Sequence, residues 1–288
     1  MDALRESIKA ATGRKLGDCV SHPVGGGCIN ETFVLEEVDG EERFFVKRNS
    51  VSKMEMFEAE AEGMVELASA EAIRIPRPVC RGTSGDQAFL VLEYLELKRG
   101  GDEERMGMEL ADLHRVTSRN GRFGWHRDNV IGETPQANSW ADTWSEFFAR
   151  ERIGKQFGFA GQRGARFNRG EELIHKIPEL LRGHDPIPSL LHGDLWGGNA
   201  GFDETGAPVL FDPAVYYGDR ETDVAFTEMF GGFGSRFYRA YREAFPIEDG
   251  YEMRKTLYNL YHVLNHFVLF GGGYKMQAER MIDELLAQ

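Results

Sequence analysis

Leu190-Leu191-His192-Gly193-Asp194-Leu195-Trp196-Gly197-Gly198-Asn199, followed by Val209-Leu210-Phe211-Asp212-Pro213, decides how this chain is read. A short apolar run delivers the chain into a turn bearing His192, Asp194 and Asn199, and a second run delivers Asp212 thirteen residues after Asn199. Two apolar strands ending in oxygen-bearing side chains suit a magnesium ion, which prefers hard oxygen ligands. Phosphoryl transfer needs such ions to bridge phosphate oxygens, and separately a carboxylate beside the attacking hydroxyl. Any one of these residues alone reads equally well as a turn or a strand-end cap. The set, in this order and spacing, argues for chemistry. Asp194 precedes Asn199 by five residues, the spacing of the Asp and Asn of kinase catalytic loops. Asp212 stands where the next kinase motif has its metal-binding Asp, here opening Asp-Pro-Ala instead of Asp-Phe-Gly.

Working outward, the first 95 or so residues read as short strands around one helix: strands at 32–38, 43–48 and 88–95, and a helix over 53–69. Phe57, Ala61, Met64, Val65 and Ala68 form its apolar stripe, and Ile75-Pro76-Arg77-Pro78 ends it. Gly25-Gly26-Gly27-Cys28 precedes a strand, and glycine lets backbone N–H groups approach phosphate oxygens; a hairpin turn is the plain alternative. No Gly-Lys-Ser/Thr follows, so this is not a Walker A loop. Lys47 ends the strand Phe44-Phe45-Val46-Lys47, placed to reach phosphates. Glu60 lies on the flank of the helical stripe and can face inward to hold Lys47, the strand-lysine to helix-glutamate pair of kinases. Glu58 is the reserve, and Glu58, Glu60 and Glu62 could together be a solvated acidic face. Glu93-Tyr94-Leu95 ends the last apolar strand, where backbone groups would meet adenine. A polar, glycine-rich connector follows.

Beyond the connector the pattern is helical: a helix marked by Met106, Leu110, Leu113 and Thr117, another from Trp140 to about Phe157, and a third over 170–181. A strand group over roughly 190–212 interrupts, and three more helices start near Arg220, Gly234 and Glu252. The expected fold class is α+β, two-lobed and protein-kinase-like: an N-lobe (1–96) with an antiparallel sheet and one helix, a connector (97–101) and a mainly helical C-lobe (102–288).

The 288 residues carry 34 Lys+Arg against 47 Asp+Glu, a net charge of −13. That balance speaks against a nucleic-acid footprint, which wants a basic face, and against anionic membrane. Cys19, Cys28 and Cys80 are too few and scattered for a disulfide framework or a zinc site. The N-terminus lacks the apolar run of a secretory signal, and Asn259, His262, Asn265 and His266 interrupt the apolar stretch 257–270. The expected compartment is the cytoplasm.

On these residues the chain resembles the fructosamine kinase (ketosamine kinase) family, relatives of the aminoglycoside and choline kinases. The resemblance runs from about Gly25 nearly to the C-terminus through GGGCIN (25–30), FFVK (44–47), MFEAEAEGM (56–64), LADLHR (110–115), FGWHRDNVIGETPQAN (123–138), HGDLWGGN (192–199) and DPAVYYGDRETD (212–223). It departs at Asp219, where the family usually has histidine.

The resemblance implies ATP on Gly25, Gly26, Gly27 and Cys28, with Lys47 on the phosphates, Glu60 orienting it, and adenine against Glu93, Tyr94 and Leu95. It implies Asp194 as base, Mg²⁺ on Asn199 and Asp212, and His192 and Asp223 as supports of the loop. Trp196 would offer a ring face to a sugar. Asp128, Asn129, Asn138 and Trp140 would shape the acceptor side. A thiol at Cys28, beside a phosphate loop, suits redox-sensitive dimerisation, so monomer and homodimer both stay open. The implied reaction is ATP-dependent 3-phosphorylation of a fructosamine or ribulosamine, on a small molecule or a glycated protein lysine, as a deglycation repair. The alternatives are an aminoglycoside or choline type of kinase and, further off, a non-catalytic ATP-binding scaffold.

Overall fold

Strand parity orients the side chains of the first lobe. The structure, a computed structural model, describes residues 2–25 and 29–288, so the expectations placed on Gly26, Gly27 and Cys28 fall outside it. A helix α1 (Asp2–Thr12) leads into strands β1 (Cys19–Pro23), β2 (Glu31–Glu37) and β3 (Arg43–Ser50). Helix α2 (Met54–Ser69) and strands β4 (Pro78–Ser84) and β5 (Gln87–Glu93) complete the lobe. The strands form one sheet in the order β1-β2-β3-β5-β4, each neighbour antiparallel.

Successive residues of a strand face opposite sides. Phe33, Leu35, Phe44, Val46, Phe89 and Val91 therefore share one face and pack with Leu4 and Ile8 of α1. Ala88, Leu90 and Leu92 take the other face, in the core that includes Met56, Phe57 and Met64 of α2. Burial on both faces explains why β5 is apolar at consecutive positions.

Among the described residues the N-lobe thus has two α-helices, not the one expected. Helix α1 carries only Leu4 and Ile8 as its buried residues, a weak periodic signal, and it gains its purpose from the sheet face it covers. Within α2, Val65 is exposed and Leu67 is buried instead. The stripe turns toward Leu67 because the helix packs on the sheet and, along the same flank, against the second lobe.

The second lobe begins with α3 (Glu103–His114) and a hairpin of β6 (Asn129–Ile131) and β7 (Thr134–Gln136). Next comes α4 (Trp144–Phe147), running through a π-helical stretch (Phe148–Gly154) into α5 (Lys155–Gln162), and then α6 (Gly170–Leu180). Strand β8 (Ser189–Leu191), β9 (Ala200–Phe202), β10 (Pro208–Leu210) and β11 (Tyr216–Gly218) form two short antiparallel pairs, β8 with β11 and β9 with β10. Helices α7 (Glu221–Thr227), α8 (Ser235–Ala244), α9 (Tyr251–Phe270) and α10 (Tyr274–Leu286) close the chain.

Four helices follow Arg220, one more than expected: Gly271-Gly272-Gly273 ends α9, and Ala278, Ile282 and Leu285 bury the face of α10. The helix expected from Trp140 starts at Trp144, where the Thr143 hydroxyl caps it. Thr117 lies beyond α3, bridged to Ser189. Between β5 and α3, Lys98 pairs with Phe202, so the connector is tied to the second lobe. Among the described residues no helix is long and apolar enough to cross a membrane.

Because Ile8 is fully buried against the sheet face away from Lys47, Ile8→Ala should cost about 2–4 kcal/mol. Thermal and denaturant unfolding would register that loss. A cost under about 0.5 kcal/mol would mean that α1 does not cover the sheet in solution.

Candidate active site

Parity puts Phe44 and Val46 toward α1, so Lys47 points to the α2 side of the sheet. There its ammonium meets Glu60 Oε1 at 2.5 Å and also the Asp212 carboxylate. Glu60 belongs to α2 and Asp212 follows β10, so one nearly buried cation joins the two lobes. Burial alone would push the Lys47 ammonium down, but Asp212 and Glu60 more than offset it and hold its pKa above the ordinary value. Glu58 and Glu62 face elsewhere, toward Arg127.

The turn after β8 is held from beneath. Asp223, in the first turns of α7, accepts the backbone N–H groups of His192 (2.7 Å) and Gly193 (2.9 Å). His114 Nε2 sits 3.2 Å from the same carboxylate, and His114 Nδ1 lies 2.8 Å from the Tyr241 hydroxyl. Burial lowers the His114 pKa, so the ring is neutral. A single tautomer satisfies both contacts, with Nε2–H donating to Asp223 and Nδ1 accepting from Tyr241.

Gly193 has φ +81°, and a Cβ there would run into the Ala214 carbonyl, so this turn admits only glycine. His192 is fully buried; its Nδ1 accepts the Asp194 N–H (3.3 Å), and its Nε2–H donates to the Phe211 carbonyl (3.0 Å). Its pKa is lowered by burial, which keeps that bridging neutral tautomer. One imidazole thereby ties the Asp194 turn to the Asp212 segment. Asp212 itself adopts φ +57°, a left-handed conformation that Asp tolerates better than most residues.

Asn199 donates through Nδ2 to the Asp194 carbonyl (2.8 Å) and to Asp194 Oδ2 (2.9 Å). Its amide orientation leaves Oδ1 as an acceptor. Burial pushes the Asp194 carboxyl well above the ordinary carboxylate range, and the charge of Asp212 adds to the effect against the Asn199 hydrogen bond. The Asp212 carboxylate and the Asn199 amide oxygen beside it are hard-oxygen donors, so the residues present fit a magnesium ion.

These residues open on a cleft of about 510 Å³ whose lining includes Lys47, Glu60, Asn129, Asp194, Trp196, Asn199 and Asp212. Trp196 is partly exposed there, edge-on to Phe230 at 5.9 Å. Of the other expected acceptor-side residues, Asp128 accepts the Asn138 N–H (2.8 Å) and does not line the cleft. Asn138 is fully buried, and Trp140 stacks on Tyr217. Local turn structure claims these three. Glu93, Tyr94 and Leu95 also stand outside this cleft: the Glu93 carboxylate holds Arg77 N–H (2.7 Å) and Arg74 (2.9 Å), and Tyr94 lies under Arg43. Gly25 follows β1, and nothing lies within 4 Å of where a Cβ would be.

Sequence reasoning missed the far wall, which α9 and its junction with α10 supply through Asn265, His266, Leu269, Phe270 and Tyr274. Those polar interruptions of an apolar stretch were the available signal. His266 Nδ1–H donates to the His262 carbonyl (2.7 Å), and burial lowers its pKa, so Nε2 is a neutral acceptor. Asp219, the departure from the family pattern, accepts from Tyr258 (2.6 Å) and His184 (2.7 Å) and caps the Glu221 N–H at the start of α7.

Comparison with known proteins gives one consistent result. A family model described as fructosamine kinase matches residues 1–288. A "Probable ketoamine kinase" of Synechocystis is 47% identical over 98% of this chain and 96% of its own. A chloroplastic protein-ribulosamine 3-kinase of Arabidopsis thaliana is 38% identical over 99% of this chain and 88% of its own. The crystal structure of a Haemophilus somnus protein provisionally designated a fructosamine-3-kinase superposes with a TM-score of 0.92 at 29% identity, covering 98% of this chain and 96% of that one.

Holding Asp194 ionised in this buried setting costs stability. A carboxyl whose folded pKa is raised loses folding free energy as pH rises from its unfolded pKa through the folded one. In protein free of metal and nucleotide, Asp194→Asn should therefore raise Tm more at pH 8 than at pH 5, by about 2–4 °C per kcal/mol relieved. An equal or lower Tm than wild type at pH 8 would contradict the raised pKa.

Proposed function

This chain belongs to the fructosamine kinase family, and on that premise we propose that it transfers the γ-phosphoryl group of ATP to a sugar hydroxyl of a ketosamine. The acceptor position is the 3-hydroxyl of a fructosamine or ribulosamine. Phosphorylation there makes the adduct unstable and regenerates the amine, which is a deglycation step. The observation that carries the reading is Lys47 bridging Glu60 and Asp212 in the wall of a cleft that also holds Asp194 and Asn199.

Each residue then has a distinct task. Lys47, kept cationic and aimed by Glu60, pairs with phosphate oxygens of the nucleotide, exchanging its contact with Asp212 for them. Asp194 accepts or orients the proton of the attacking hydroxyl, and its raised pKa keeps it basic enough for that task. Asn199 and Asp212 would hold magnesium, which when bound neutralises charge on the phosphate oxygens. His192 and Asp223 position the loop without touching reactants. Trp196 and Phe230 offer ring faces to the apolar side of a sugar, and His266 Nε2 offers an acceptor to its hydroxyls. Most of the acceleration comes from positioning and electrostatics.

A polycationic aminoglycoside would want a broad acidic wall, whereas the acidic groups lining this cleft are Glu60, Asp194 and Asp212, already engaged with phosphate chemistry. An aromatic lining also suits a quaternary ammonium, so choline belongs in the test.

Purified protein with Mg-ATP should phosphorylate fructosamines or ribulosamines and leave aminoglycosides and choline untouched. Turnover of choline or an aminoglycoside alone would refute the substrate assignment. Asp194→Asn should lower kcat by roughly 10²–10⁴-fold, as expected for loss of a general base, while Mg-ATP still binds. Near-normal turnover would remove Asp194 from its role.

A further inference from the structure

The segment Trp125–Asn138 has chemistry that the acceptor reading does not use. Its first residues reach α2. Arg127 Nη1 donates to Glu62 Oε1 at 2.9 Å, Arg127 Nη2 lies 3.9 Å from Glu58, and His126 Nε2 lies 3.2 Å from Glu62. Arg127 is about one-quarter exposed, so the pair is only partly screened by water. Although burial works against ionisation, hydrogen bonds from Arg127 and His126 hold the Glu62 carboxyl below its ordinary range. The ring of Trp125 lies beside Gly63, where α2 approaches Val215 so closely that a Cβ would press on it.

Its later residues grip the chain just past Asp212. Asn129 Nδ2 donates to the Val215 carbonyl (2.9 Å), and Gln136 Nε2 to the Ala214 carbonyl (3.0 Å). Asn138 donates to Asn129 Oδ1, and the fully buried Arg152 anchors Asn138 at 2.9 Å. A single braced segment therefore touches the helix that carries Glu60 at one end and the loop that carries Asp212 at the other.

We propose that Arg127 is a positioning residue: through Glu62 and Glu58 it latches α2 to the catalytic lobe, so that Glu60 keeps Lys47 aimed into the cleft before nucleotide arrives. The segment thus serves the nucleotide side of the reaction. The proposal rests on the reading of Lys47 as the phosphate-binding lysine. Its consequence is a split between substrates. Loss of the latch lets α2 shift and weakens phosphate binding, whereas the far part of the segment stays anchored to α9 through Tyr261 on Gln136 (2.7 Å) and Asn265 on the Ile131 carbonyl (3.4 Å), so the acceptor wall keeps its place.

The experiment measures Mg-ATP affinity without acceptor, then KM for ATP and for ketosamine separately, in Arg127→Ala, Arg127→Lys, Glu62→Gln, the Glu62→Gln/Arg127→Ala double variant, and Arg182→Ala as an exposed control. For a partly exposed pair with two supporting contacts, Arg127→Ala and Glu62→Gln should each weaken ATP about threefold to fivefold. The ketosamine KM should stay within about twofold, and Arg127→Lys should recover part of the loss. The double variant should lose no more than the worse single one, because both remove the same contact.

Unchanged ATP affinity in Arg127→Ala, a rise in the ketosamine KM instead, or losses that add in the double variant would each overturn the latch. Should Arg127→Ala fail to fold, Glu62→Gln carries the test, since that side chain is 38% exposed, and unchanged ATP affinity there overturns the proposal equally. A wild-type protein that binds Mg-ATP yet phosphorylates no ketosamine would instead contradict the proposed function and leave the latch standing.

Discussion

Lys47 is a nearly buried ammonium held by carboxylates from two separate parts of the chain, and much of the architecture is a condition for that contact. A buried charge stripped of its partner costs about 3–5 kcal/mol. The sheet must therefore present Lys47 on the α2 face, α2 must be phased to turn Glu60 inward, and the second lobe must bring Asp212 to the same point. A one-residue slip in β3 would send Lys47 into the apolar layer beneath α1. Register, helix phase and lobe placement are thus one coupled requirement.

The turn that carries Asp194 depends on a second buried group. Asp223 satisfies two backbone N–H groups of the turn and engages His114, whose other nitrogen accepts from Tyr241. Arg220 in turn donates to the Tyr241 hydroxyl at 3.1 Å. Such a network is worth having only when every member is satisfied, because an unpaired buried polar group loses its hydration with nothing in return. Asp219, capping α7 and gripped by His184 and Tyr258, fixes the helix that carries Asp223. The Asp219 side chain therefore serves the support of the loop and not the cleft.

The cleft itself divides by chemistry. Asp194, Asn199 and Asp212 come from strand ends and the turns between them, where the backbone presents them without helical constraint, while α2 supplies Glu60. The aromatic and aliphatic wall combines Trp196 from the turn and Val130 and Ile131 from β6 with Leu269 and Phe270 of α9, whose opposite face is buried in the core. A polar floor and a ring-faced wall follow from that arrangement.

The sequence by itself determined the kinds of chemistry and the order in which they occur. His192, Asp194, Asn199 and Asp212 were legible because short apolar runs ending in polar residues at fixed spacing are a local pattern. Lys47 and Glu60 were legible because strand parity and helical periodicity are local too, and β2, β3, β5 and α2 lie within a few residues of where those periods put them. Only the tertiary structure decided which residues share a cleft. Asp128, Asn138 and Trp140 look like acceptor residues in the sequence, yet hydrogen bonding and stacking inside the lobe claim them. Asn265 and His266 look like blemishes in an apolar helix, yet they face the cleft because α9 packs past α7 and brings them beside Asp194 and Trp196. Contacts between residues distant in sequence arise from packing of whole elements, and no local period encodes them.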